Sequence, residues 1–145
     1  MKIPRMTVIT LGVSDLAHAT AFYREIFSTQ PNTENEGVTF IPLPGVWLAL
    51  YPLDKLAEDI GAEVNLPAPG MFSGVTLAYN ARSKDEITRI FACAAEAGAH
   101  IAKAPQDTFW GGYSGYFSDP DGHYWEVAWG PMFDFTEHGD LCFKA

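Results

Sequence analysis

The sequence predicts an α+β fold made of two tandem copies of one βαβββ unit. Three observations carry this expectation. An alternating strand is followed by a capped amphipathic helix near the N-terminus. The same pair recurs in the second half of the chain. A strand pair joined by a turn closes each copy. Recurrence that keeps the order of elements marks internal duplication.

In the first copy, Val8-Ile9-Thr10-Leu11-Gly12-Val13 alternates like a strand. Ser14-Asp15 supplies helix N-cap chemistry, and Leu16, Ala19, Phe22, Tyr23, Ile26 and Phe27 follow at helical spacing. Gln30-Pro31-Asn32 ends that stretch. Residues 38–43 and 46–51 read as two strands joined by Pro44-Gly45. In the second copy, residues 74–79 form the strand and Ser83-Lys84-Asp85-Glu86 forms a capping box. Ile87, Ile90, Phe91, Ala94 and Ala97 make the helix stripe, and Gly98 suits the position just past the helix end. A short strand over 100–102, a strand over 113–118, the turn Asp119-Pro120-Asp121-Gly122 and a strand over 123–129 complete the copy. Residues 9–13 align with 75–79 at an offset of 66, and residues 40–49 with 117–126 at an offset of 77. The difference is an insertion, placed at residues 106–112. Leu53, Leu56, Ala57 and Ile60 suggest a short helix between the copies, and Pro67-Ala68-Pro69-Gly70 reads as a linker. The expected organisation is a single domain with module 1 at 5–52, a linker at 53–73, module 2 at 74–131 and a C-terminal extension at 132–145. Phe133, Phe135, Leu141 and Phe143 make that extension too apolar for a solvated tail.

The totals narrow the function. A net charge of −9 argues against nucleic acid or an anionic membrane as the main partner and favours a cationic or neutral ligand. The same charge also serves plain solubility. No apolar run approaches the roughly 20 residues of a membrane span. No secretory leader is visible at the N-terminus. Cys93 and Cys142 are far apart, without metal-ligand spacing, so a reduced cytoplasm is the expected compartment.

Leu11-Gly12-Val13-Ser14-Asp15-Leu16 with Ala21-Phe22-Tyr23, and Tyr116-Phe117-Ser118-Asp119-Pro120-Asp121-Gly122-His123-Tyr124-Trp125-Glu126-Val127, resemble the vicinal-oxygen-chelate superfamily of glyoxalases, bleomycin-resistance proteins and extradiol dioxygenases. The resemblance spans about residues 5–131. It implies curved mixed sheets that form a trough, helices outside, and frequent homodimers. It also implies four metal-ligand positions, carried here onto Val8, Ala49, Gly74 and Glu126. Of these, only Glu126 can bind a cation. Zinc needs three or four donors and an iron oxygenase a facial triad, so the expectation is no cofactor. A divalent metal (Zn, Ni, Fe or Mn) is the lesser alternative.

Strand alternation puts Trp47, Tyr51, Tyr116 and Tyr124 on the trough face with Glu126, and also Ser114. His123 falls on the opposite face. Trp110, beside Gly111 and Gly112 in the insertion, could cover the trough, and Tyr113 ends the same run. Glu126, Trp47, Tyr51, Trp110, Tyr113, Ser114, Tyr116 and Tyr124 are therefore the candidate ligand-binding residues. A carboxyl among apolar neighbours suits a general acid or base, which makes Glu126 the catalytic candidate. Alternatively it is a structural carboxylate bonded to Thr10, Thr76 or a tyrosine hydroxyl. Three functions stay open: metal-free binding of a small aromatic or cationic molecule, a glyoxalase-type or dioxygenase-like enzyme acting on a small carbonyl or glutathione conjugate, and a regulatory module with a filled trough.

Overall fold

The computed structural model describes residues 1–68 and 70–145, so Pro69 of the linker-like run lies outside the described residues. The chain divides into two units, Met1–Ser73 and Gly74–Ala145.

The first unit runs β1 (Val8–Val13), α1 (Leu16–Ile26), β2 (Thr39–Ile41), β3 (Trp47–Pro52) and α2 (Leu53–Ile60). Its sheet has the order β1-β3-β2, with β1 parallel and β2 antiparallel to β3. Asp15 caps α1 by accepting from the His18 N–H at 3.0 Å. Ala19, Thr20, Phe22 and Tyr23 are the buried residues of the helix, and Leu11, Val13, Ile41, Leu48, Ala49 and Leu50 are the buried apolar residues of the sheet. The buried hydroxyls of Thr20 and Thr39 meet at 2.8 Å, which ties the helix to β2. The fourth strand of this copy is reduced to one bridge, Asn32 with Phe40.

The second unit runs β4 (Thr76–Asn80), α3 (Lys84–Glu96), β5 (His100–Asp107), β6 (Tyr113–Ser118), β7 (Tyr124–Trp129), β8 (Phe133–Phe135) and β9 (Leu141–Phe143). Its main sheet has the order β4-β7-β6-β5, parallel between β4 and β7 and antiparallel elsewhere. Ser83 accepts from the Glu86 N–H at 3.1 Å, as the capping box requires. Glu86 turns instead to the Arg82 N–H and the Tyr79 hydroxyl. Gly98, at φ +97°, ends α3 with N–H bonds from Gly98 to Ala95 and from Ala99 to Ala94, the Schellman pattern. Phe91 meets Phe117 edge-on at 5.8 Å, and Phe117 stacks on Trp125 at 6.4 Å. The odd-numbered face of β6 and β7 is thus the one α3 covers.

Three expectations need correction. The strand expected over 100–102 is the eight-residue β5, and the apparent insertion lengthens the β5–β6 hairpin. Register shifts break its alternation, which hid it from a period-2 reading. The apolar extension, given no strands by the sequence reading, holds two: β8 and β9 form a hairpin with Phe133 stacked on Phe143 at 5.8 Å. The third concerns the repeat offset. Val8 pairs with Trp47, and Thr76 pairs with Tyr124. With 124−47 = 77 fixed for the last strands, the first strands are related by 76−8 = 68 rather than 66. The two N-caps, Asp15 and Ser83, give the same 68. The counterpart of Val8 is therefore Thr76. Gly74 lies outside β4, in a bend with φ +83°.

Candidate functional site

The site grows from the turn before β7. Asp119 is 4% exposed. Its Oδ1 accepts the N–H groups of Asp121 and His123, both at 2.9 Å, and its Oδ2 faces the His123 Nδ1 at 2.8 Å. Burial opposes charge on His123. The bond to Asp119, the charge of Asp119 and that of Asp121 outweigh it, so the imidazole pKa is raised. This turn sets the start of β7, and with it the register that places Glu126 opposite Tyr116 on β6 and beside Ala78 on β4.

On the even-numbered face of this sheet, away from α3, stand Thr76, Ala78, Ser114, Tyr116, Tyr124 and Glu126. The Tyr116 hydroxyl donates to Glu126 Oε2 at 2.8 Å. That bond first, then burial and the charge of Glu126, raises the Tyr116 phenol pKa. No other side-chain hydrogen bond to the Glu126 carboxylate occurs among the described residues. Ala78 is exposed and has no side chain beyond its methyl group, so it leaves the neighbouring position over the carboxylate uncrowded. Of the two local roles foreseen for Glu126, the bond to a tyrosine hydroxyl is present.

The remaining candidates divide. Ser114 is buried, on the same face as Glu126. Tyr113 begins β6 on the other face, where its ring lies 5.3 Å from the Lys84 ammonium. Trp110 does not stand free as a cover. Its ring rests on the backbone of Gly112 and Gly130, close enough that a Cβ at either glycine would collide with it. Thr108 pins the same loop by accepting the Gly112 N–H at 3.0 Å. Trp47 and Tyr51 belong to the first unit, on the face of β3 that also bears Ala49. There Trp47 is 44% exposed and meets Phe40 edge-on at 6.1 Å. Ala49, the counterpart of Glu126, is buried. Sequence reasoning named Thr76 only as a partner for Glu126 and missed Ala78, and aligning the two N-caps would have placed both. A cavity of about 500 Å³ in the first unit contains none of the candidates. It lies along α1 and residues 33–39.

The positions that the resemblance assigns to metal ligands supply one carboxylate and one hydroxyl, both in the second unit, where a divalent metal takes three or four donors. The first unit holds Val8 and Ala49 at these positions, and the second holds Thr76 and Glu126. Among the described residues, no group of three or more His, Cys, Asp or Glu side chains could hold an ion. Thiolate and imidazole sites need more and softer donors than this.

This architecture, two units that each pair a helix with a mixed sheet, agrees with the comparisons. The chain belongs to the Glyoxalase/Bleomycin resistance protein/Dioxygenase superfamily, whose family model matches residues 5–127. Among solved structures it is similar to a glyoxalase-related enzyme from Fulvimarina pelagi, at 33% identity and a TM-score of 0.85, covering 99% of this chain and 100% of that one. Among characterised proteins it is similar to metallothiol transferase FosB of Shouchella clausii (strain KSM-K16), 30% identical over 90% of this chain and 83% of that protein. The corresponding protein of Lysinibacillus sphaericus (strain C3-41) is 25% identical over 95% of this chain and 91% of its own length. No helix of the described residues is long and apolar enough to cross a membrane.

Proposed function

We propose that the chain binds a small aromatic or cationic molecule, without a metal, on the sheet face that carries Glu126. The observation that supports this reading is the Tyr116–Glu126 bond at 2.8 Å. A hydroxyl donating to Oε2 fixes the plane of the carboxylate and leaves Oε1 to accept from a ligand. The rings of Tyr116 and Tyr124 offer faces to a flat or cationic group. The net charge of −9 raises the local concentration of cations and disfavours nucleic acid and anionic membranes as partners. A homodimer in the cytoplasm completes the proposal.

Titration with N-methylacridinium, followed by tryptophan quenching, tests it. Glu126→Gln keeps the shape and removes the charge, so it should weaken binding by about 1.5–3 kcal/mol, roughly 10- to 100-fold. Equal affinity in the two proteins would refute the role of Glu126.

A second reading is favoured by the names of the two relatives at 30% identity or more, a transferase and a glyoxalase-related enzyme. In it, Glu126 and Tyr116 pass a proton in a lyase, isomerase or dioxygenase-like reaction on a small carbonyl or glutathione conjugate. Turnover of such a substrate by metal-stripped protein, abolished in Glu126→Gln, would establish this reading over pure binding.

A further inference from the structure

We infer that the second unit carries a separate site for a small aromatic carboxylate, between the end of β7 and the C-terminal hairpin. A cavity of about 170 Å³ lies there, bordered by Arg82, Trp129, Phe133, Asp134, Phe135 and Lys144. This site shares no residue with the Glu126 face, and its sign is opposite: two of the nine cations of a strongly acidic chain border one small cavity.

The state of those cations is what points to an anion. Lys84, the neighbouring cation, is neutralised by Asp107 at 2.9 Å. No ion pair among the described residues uses Arg82 or Lys144. Arg82 is held in place without being neutralised. Its N–H donates to Glu86 Oε2 at 2.7 Å, and its guanidinium lies over the Phe135 ring at 4.1 Å. Stacking occupies the face of the guanidinium and leaves its edge N–H donors free, which is the geometry that grips a carboxylate with two parallel bonds. The Lys144 N–H bond to the Met132 carbonyl, 2.9 Å, fixes the backbone that carries the second cation. Asp134 also borders the cavity, and its Oδ1 accepts from the Phe135 N–H at 2.8 Å. Trp129 and Phe133 border the same cavity, so the ligand that uses both kinds of lining has a charged oxyanion joined to an aromatic ring.

The test is an NMR titration of the whole chain with sodium benzoate, and separately with inorganic phosphate, reading the Arg82 Nε–Hε and Trp129 indole N–H signals. The expected result is saturable benzoate binding that moves both signals, with phosphate weaker by about tenfold because it has no ring to bury. Lys144→Gln, at an exposed position that leaves the fold intact, should weaken benzoate by about tenfold. Arg82→Lys, which keeps charge and loses the fork, should do at least as much. Glu126→Gln should leave it unchanged, which separates this site from the one proposed above. The inference is overturned if benzoate moves neither signal, if Lys144→Gln and Arg82→Lys bind as well as the parent, or if phosphate binds as tightly as benzoate.

Discussion

Replacing Asp119 by Asn tests whether the turn before β7 holds the site strand in place. The buried carboxylate receives two backbone N–H bonds and the His123 ring. Asn keeps the shape and the Oδ1 acceptor but removes the charge. Charge-assisted bonds are worth about 1.5–3 kcal/mol each against about 1 for neutral ones. Three such bonds lose part of their strength, and an amide nitrogen comes to face the His123 Nδ1. The expected loss is about 2–4 kcal/mol, or a fall in Tm of about 5–15 °C for a chain of this size. The pH dependence has a definite sign. The folded pKa of His123 is raised, so the contribution of its protonated form is complete below the unfolded value of about 6.5 and is lost as pH rises through the folded value. Urea unfolding of both proteins between pH 6 and pH 9 is the assay. The stability gap should be widest at pH 6 and narrower at pH 9. A gap under about 1 kcal/mol, below the scale of one such bond, or one that widens with pH, would refute the reasoning.

Gly115 on β6 admits no side chain. A Cβ there would come within 2.7 Å of the Lys103 carbonyl oxygen and of Phe91, and 2.9 Å of the Pro105 nitrogen. Gly115→Ala should therefore cost about 1–3 kcal/mol in urea unfolding, and an unchanged midpoint would contradict the packing. Tyrosinate absorbance should show late-titrating phenols. Tyr79 is pushed up to about 12 by burial, its bond to Glu86 and the charge of Glu86, against a smaller opposing effect of Arg82. Tyr79→Phe should remove that component, and Glu126→Gln should bring the Tyr116 component back toward the ordinary value. A titration curve unaltered by Glu126→Gln would show that the 2.8 Å bond does not persist in solution.

What the sequence made legible was the chemistry of short segments. Asp15, Ser83, Gly98 and the turn at 119–122 announce themselves because each needs only its own neighbours, and the structure uses each as the local rules require. The parity that puts Glu126, Tyr116 and Tyr124 on one face was legible too, since a regular strand keeps its period of two. The failures came where long-range pairing decides. β5 was read too short because its register shifts erase alternation. Gly74 was matched to Val8 because similar strand residues, Thr10 and Thr76, were aligned ahead of the caps. Tyr113 and Trp110 were placed with the site because a hairpin loop does not disclose which way its side chains fold. Here Gly112 and Gly130 let the Trp110 ring come close to the backbone.

The central claim is that Glu126 serves a ligand directly rather than through a metal. One measurement addresses it: the N-methylacridinium titration on protein dialysed against chelator, repeated after loading with Mn²⁺ and with Zn²⁺, with bound metal quantified in each sample. The account predicts one affinity throughout and far less than one ion per chain. Stoichiometric metal uptake, with ligand binding that appears only in the loaded samples and vanishes in Glu126→Gln, would contradict it.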